Sequence, residues 1–189
     1  MDIYQAILNR HSARRFKPDN ITDELIAKVL EAARWAPSWR NNQCWQFIII
    51  RDKPVIEKLF KGSSGKFFNA PVYIVACADP TKSGKREGID YYIADVASAI
   101  ENLLLAATAE GLGTCWIGAI SHEESIRQIL EIPSPLRVVA IIPLGFPAED
   151  FAARTRNFVT NLIIRNRSRK ELSEFCHMNK FGNRFSIRT

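Results

Sequence analysis

Hydrophobic and polar positions along this chain change period several times, and each change marks an element. Residues 2–9 carry Ile3, Ala6 and Ile7 at helical spacing, which predicts a short amphipathic helix. Thr22 can cap a second helix, with Asp23 and Glu24 at its positive end and an apolar stripe of Leu25, Ile26, Val29, Leu30 and Ala33; Pro37 stops it. Gln46–Ile50 and Pro71–Ala78 are continuous apolar runs, the pattern of strands buried on both faces, and Pro54–Phe60 between them reads as helix. A charged loop at 80–88 precedes the longest predicted helix, from about Tyr91 to Glu110. It is apolar around most of its circumference and so is expected to be buried on more than one side, including at a subunit interface. Gly111-Leu112-Gly113 ends it, Thr114–Gly118 is a short strand, Ser121 caps a helix through Leu130, and Leu136–Leu144 is a strong final strand. Beyond Phe146-Pro147 the pattern decays: residues 150–163 are irregular and 166–175 weakly helical. Such a tail has little core of its own and is expected to pack across a partner subunit.

Alternating helices and strands of this kind predict an α/β or α+β sandwich around a largely buried sheet. The 189 residues suit one domain, and 47% hydrophobic with 24% charged residues is ordinary globular composition. No uninterrupted apolar run approaches the roughly 18 to 20 residues that span a bilayer, and the start of the chain is helix-like without the regions of a signal peptide. A cytoplasmic protein with no membrane partner is the expectation.

Charge changes the picture more. The net charge of +6 is weighted toward the C-terminal stretch, with Arg154, Arg156, Arg165, Arg167, Arg169, Lys170, Lys180, Arg184 and Arg188. No nucleic-acid-binding motif accompanies it, so a solvated basic tail, or a tail lending charge to an anionic ligand, is the better reading. Cys44, Cys77, Cys115 and Cys176 stand far apart without a CxxC pair, which argues against a zinc site or disulfide framework; Cys176-His177 near the end is read as incidental, and no metal is expected. A dinucleotide GxGxxG, a Walker loop, HExxH and GxSxG are all missing, and there are three histidines in all. Scarce acid–base groups and no activated nucleophile point to chemistry carried by a bound cofactor.

Two segments supply candidate ligands. Arg10-His11-Ser12-Ala13-Arg14 places two guanidiniums four residues apart with a hydroxyl between them, a suitable clamp for a phosphate ester. Pro37-Ser38-Trp39-Arg40-Asn41-Asn42-Gln43-Cys44-Trp45 is an amide-rich turn leading into a strand. Together they suggest a site for a flat, polar-edged cofactor bearing a phosphate. Solvated helix-end charges and plain turn chemistry are the bland alternatives.

Arg10 to Phe16 resembles the Arg-x-Ser-x-Arg-x-Phe signature of the FMN-dependent nitroreductase family. Ala36-Pro37-Ser38 with Asn41, Gln43 and Trp45 is similar to that family's amide turn, and Glu101-Asn102-Leu103-Leu104-Leu105-Ala106-Ala107 and Gly111–Gly118 are similar to its central helix and following strand. The likeness covers roughly residues 2–170, in the family's order. It implies an α+β fold with a mostly antiparallel central sheet flanked by helices, in a homodimer whose C-terminal tail is domain-swapped; residues 1–175 would form the FMN-binding domain and 176–189 an extension.

The resemblance also implies roles. Arg10, His11 and Ser12 would hold the phosphate and ribityl chain, and Arg14 the pyrimidine edge, where a cation stabilises the negative charge of reduced flavin. Pro37, Ser38, Asn41 and Gln43 would border the ring; Trp116, Ile117 and Gly118 would lie beside it, with the Gly118 amide toward flavin N5. Lys66 is either a second cation there or a surface lysine. Arg167 and Arg169 fall where the family has its late basic pair, with Arg165 a competing register. Cys44, Trp39 and Arg40 depart from the family's proline and small residues, and the short loop at 80–90 lacks the lid of deiodinating relatives.

The implied function is ping-pong hydride transfer from NADH or NADPH through FMN to a small electron acceptor, a nitroaromatic, quinone or similar compound. The alternatives are another flavin chemistry on the same fold, or a basic flavin- or nucleic-acid-binding module without catalysis.

Overall fold

The structure is a computed structural model that describes residues 1–61, 69–120, 122–148 and 169–185. The chain divides into two units, Met1–Ala148 and Glu149–Thr189. In the first unit, four strands form an antiparallel sheet in the order β1-β2-β6-β5, where β1 is Trp45–Ile50, β2 Val72–Ala78, β5 Gly113–Thr114 and β6 Arg137–Gly145. Strands β3 (Lys85–Arg86) and β4 (Ile89–Asp90) make a separate small hairpin.

All seven residues of β2 are buried, as its unbroken apolar run requires. Alternate residues point to opposite faces. Val72, Ile74, Ala76 and Ala78 join Ala140, Ile142 and Leu144 of β6 in one cluster with Ile26, Val29 and Ala33 of α2 (Asp23–Arg34) and Val96, Ala99, Ile100, Leu103, Leu104 and Ala107 of α4 (Tyr91–Ala109). Tyr73, Val75 and Cys77 belong to a second cluster with Val138, Ile141, Phe60 and Ile126, roofed by α3 (Lys53–Leu59) and α5 (Glu123–Ile129). A sheet covered on both faces by helices results.

Helix starts follow their caps. Asp2 accepts from the Gln5 N–H at 2.9 Å to open α1 (Ile3–Asn9), Thr22 accepts from Leu25 at 3.3 Å, and Asp52 accepts from Val55 at 3.0 Å.

Several sequence expectations are corrected. Strand β1 is not buried throughout: among the described residues its one strand neighbour is β2, and it leaves Gln46 and Ile49 exposed. The predicted strand 114–118 shortens to Gly113–Thr114 plus a single bridge from Ile117 to Ile141. His122, not Ser121, occupies the cap position of α5, and Ser121 lies outside the described residues. The loop at 80–88 contains a turn at Pro80–Lys82 and the β3–β4 hairpin, whose central Glu87 and Gly88 both have positive φ, as tight hairpins with right-handed twist demand. On α1 only Ala6 is buried, while Ile3, Tyr4, Ile7 and Leu8 are exposed.

Helix α4 is long and apolar enough to cross a membrane by length and composition alone, but Val96, Ala99, Ile100, Leu103, Leu104 and Ala107 are buried in the core with α2 and the sheet, while Ile93 is exposed.

In the second unit, α6 (Leu172–Phe175) has a reciprocal capping box between Glu171 and Glu174. A compact loop follows, closed by the Phe185 N–H donating to the Cys176 carbonyl at 2.9 Å, the Met178 N–H to Asn183 at 2.7 Å and the His177 ring against Phe181. The predicted irregular stretch at 150–163 lies outside the described residues.

Leu103 has no exposed surface and sits where α4 meets the sheet. Leu103→Ala is therefore expected to lower unfolding free energy by about 2–5 kcal/mol, read as a shifted denaturant midpoint with an unchanged slope.

Candidate active site

Residues 10–17 form an extended segment rather than a brief break between helices. Ser12 bridges Thr114 in parallel, the Ala13 N–H donates to the Thr114 carbonyl at 2.8 Å, and the Lys17 N–H donates to Phe146 at 2.8 Å. Asn69 clamps the segment from the side, accepting from the Phe16 N–H at 3.1 Å and donating to the Phe16 carbonyl at 2.9 Å. A close approach makes this possible: a Cβ on Gly113 would stand 2.6 Å from the Ala13 Cβ, and one on Gly145 would stand 2.9 Å from the Phe16 ring.

Arg10, Ser12 and Arg14 of this segment are all half-buried, and each acts on the Cys115 thiol. Burial pushes the Cys115 thiol up, while the charge of Arg14, the Ser12 hydroxyl and the charge of Arg10 pull it the other way. Arg10 also closes α1, its N–H donating to Ala6 at 2.9 Å. His11 is exposed, with Nδ1 at 2.8 Å from the Asn9 carbonyl. Two cations and a hydroxyl within electrostatic reach of one another are groups suited to an anion. Nearby, Trp116 is 37% exposed and Ile117 is held by Ile141. The Gly118 carbonyl accepts from Ile120 at 2.9 Å, and its N–H has no partner among the described residues.

The second predicted segment is a strained turn. Trp39–Asn41 forms a single 3-10 turn, and Arg40, Asn41 and Gln43 all have positive φ, which side-chain-bearing residues adopt only where the surroundings hold them. The holding groups are visible. The Ser38 hydroxyl accepts from the Gln43 N–H at 3.0 Å, and the Asn42 amide donates to the Lys82 carbonyl at 2.9 Å. Gln43 Nε2 donates to the Asn41 Oδ1 at 3.3 Å. Pro37 is exposed just ahead of the turn.

Asp95, buried in α4, is the anchor that the sequence reading missed. Its Oδ1 accepts from the Trp39 N–H at 2.9 Å, and its Oδ2 from the Ser83 hydroxyl at 2.7 Å and the Cys44 thiol at 3.6 Å. The available signal was a lone acid inside the apolar run Tyr92-Ile93-Ala94-Asp95-Val96-Ala97. Burial and the Asp95 charge push the Cys44 thiol up to about 11.

The two segments do not meet within one chain. Asp95 holds the 38–44 turn near the start of α4, whereas the Arg10–Arg14 segment lies beside β5, after the helix ends. At 1.5 Å per residue, Asp95 and Ala109 are about 21 Å apart along the axis. The sheet agrees: Trp45 is in register with the start of β6 through Ala78, and Gly113 with its end at Gly145. Lys66, Arg165 and Arg167 lie outside the described residues, and Arg169 is exposed in the second unit. No cluster of metal-ligating side chains occurs among the described residues.

A group of half-buried arginines beside a glycine-bearing strand and a separate strained amide turn thus sit on a helix-covered antiparallel sheet. The nitroreductase family model matches residues 7–63 and 60–146, and the chain belongs to the nitroreductase family, a family of oxidoreductases. A relative from Archaeoglobus fulgidus, provisionally named NADH dehydrogenase/NAD(P)H nitroreductase, is 38% identical over 149 residues, covering 76% of this chain and 84% of the relative. The crystal structure of a nitroreductase family protein from Clostridium novyi NT aligns at a TM-score of 0.74 with 32% identity, over 98% of this chain and 97% of that one. An FMN-dependent nitroreductase from Clostridium difficile R20291 aligns at 0.73 with 28% identity, over 93% and 98%.

The thiols give a pH test. Cys44 and Cys77 are both pushed up to about 11, by burial first, against about 8.5 in an unfolded chain. The folded state thus holds these protons more tightly, so their stabilisation is complete below about pH 8.5 and is lost as pH climbs toward 11. The denaturant midpoint is expected to fall across that interval, and to fall less in Cys44→Ala.

Proposed function

We propose that this chain is an FMN-dependent oxidoreductase that carries hydride from NADH or NADPH to nitroaromatic, quinone or similar small acceptors, and that it works in the cytoplasm as a homodimer. The observation that carries the reading is the placement of half-buried Arg10, Ser12 and Arg14, which all act on Cys115, on a segment that bridges to Thr114 of β5. These residues fit FMN: two guanidiniums and a hydroxyl suit a phosphate with about −1.5 to −2 charge, and the absence of a Cβ at Gly113 is what lets them gather there. Bound FMN supplies the chemistry that the side chains lack, accepting two electrons as hydride and passing them on.

The protein's own groups bind and tune. Arg10 and Ser12, with His11 beside them, hold the phosphate end. Arg14 places a positive charge at the ring edge and so favours the reduced, anionic form. Trp116 and Ile117 wall the ring, and the Gly118 N–H is available to donate to it. Pro37, Ser38, Asn41 and Gln43 supply the other border. Lys66, Arg167 and Arg169 are the remaining proposed cations, with Arg169 the firmer of the late pair.

The separation of the two segments supports a composite site. A ligand bordered by both would take the arginines from one chain and the amide turn from another, as two-fold symmetry allows. The exposed apolar face of α1, Ile3, Tyr4, Ile7 and Leu8, is a surface that such a dimer would cover, and the tail from Glu149 onward is proposed to cross to the partner.

Two experiments test this. Purified protein should take up FMN with a yellow spectrum that NADH or NADPH bleaches and an acceptor restores; a chain that stays colourless with added FMN ends the proposal. Arg14→Ala should weaken FMN binding about tenfold and lower the midpoint potential by a few tens of millivolts; unchanged values remove Arg14 from the site. For the composite site, Arg14→Ala and Asn41→Ala chains, each impaired alone, should regain about a quarter of wild-type sites when unfolded and refolded together, because half of the dimers then carry one native site. No regain means that each site belongs to one chain.

A further inference from the structure

Trp39 is fixed from three sides. Its backbone N–H is tied to the buried Asp95 at 2.9 Å, and its indole lies on the backbone of Gly84, where any Cβ would stand 2.6 Å from the ring. On the indole lies the Arg40 guanidinium, its carbon 4.4 Å from the ring centroid. A cation stacked on tryptophan keeps its N–H edge outward and loses little freedom when it then binds an anion.

The charges around it are treated differently. Lys82 pairs with Asp79 at 3.9 Å, Lys85 with Asp90 at 3.2 Å and Arg86 with Glu87 at 3.6 Å, so the adjoining turn and hairpin neutralise their own cations. Arg40 is exposed and has no ion pair among the described residues. It also sits at φ 51, a conformation in which glycine would be less strained. The position therefore holds a preorganised positive charge at a conformational cost, directly before Asn41 and Gln43.

We infer that Arg40, laid on Trp39, selects ligands that bring an anionic group to the flavin face. The inference rests on the reading above, which puts the 38–43 turn beside the cofactor. The shared chemistry is a carboxylate or phosphate projecting from a planar ligand, and it has two sources: an acidic aromatic acceptor, or the 2′-phosphate of NADPH.

The test uses the FMN-loaded full chain as wild type, Arg40→Ala and Arg40→Lys, with retained FMN absorbance and melting temperature as the check on folding. Calorimetry compares benzoate with benzamide, and adenosine 2′,5′-bisphosphate with AMP. Steady-state kinetics compares 4-nitrobenzoate with 4-nitrobenzamide, and NADPH with NADH. Arg40→Ala should lower the charged-to-neutral ratio of affinity and of kcat/KM about three- to tenfold in one arm. Arg40→Lys should fall between, keeping the charge without the planar stack, and about 0.5 M salt should erode the wild-type preference. A change confined to the benzoate arm assigns the anion to the acceptor; a change confined to the nucleotide arm assigns it to the reductant. Ratios within about twofold of wild type in both arms overturn the inference while leaving the flavin reading intact. A chain that takes up no FMN overturns both.

Discussion

Burial of β2 on both faces is the constraint from which the architecture follows. A strand that reads Val-Tyr-Ile-Val-Ala-Cys-Ala has no face to offer water, so a helical layer must lie on each side of it. The helices oblige by their own patterns: α2 and α4 cover Val72, Ile74, Ala76 and Ala78, and α3 and α5 cover Tyr73, Val75 and Cys77. With β2 placed, β1 and β6 take the two hydrogen-bonding edges beside it. The segment at residues 12–17 is left to run along β5 and past the end of β6.

Helix α4 converts that architecture into a site. Its buried face packs the core, but its two ends do separate work. Near the start, Asp95 is a buried carboxylate whose three donors come from the amide turn and the 80s loop; an acid so placed is tolerable only because those donors satisfy it. Beyond its other end, Gly113 allows the arginine segment to close on the strand. The length of the helix thus keeps the two segments apart, which is the separation on which the proposed composite site rests.

Much of this was legible in the sequence because it depends on local rules. The cap at Thr22, the period of α2, the unbroken run of β2 and the extent of α4 are each set by residues within a few positions of one another. Candidate site residues were legible for a related reason: Arg10, Ser12 and Arg14, like Ser38, Asn41 and Gln43, are close in sequence and chemically distinctive. Asp95 was not. One acid in an apolar helix looks like a solvated residue until the turn 51 to 56 positions away is folded onto it. The exposure of Gln46 and Ile49 on β1 was equally hidden, since Gln46-Phe47-Ile48-Ile49-Ile50 reads as one nearly continuous apolar run.

The sequence by itself determined the main helices α2 and α4 and the strands β2 and β6, that the sheet would be covered on both faces, and that the chain offers cations and amides rather than acid–base machinery. Those properties reside in hydrophobic period, capping side chains and residue type, all short-range. Only the tertiary structure decided that Arg10, Ser12 and Arg14 all act on Cys115, that Asp95 holds the amide turn, that Arg40 is stacked on Trp39, and that the two segments stand toward opposite ends of α4. Each of these depends on close approach between segments distant in sequence, which is fixed by packing and not by any residue's own preference.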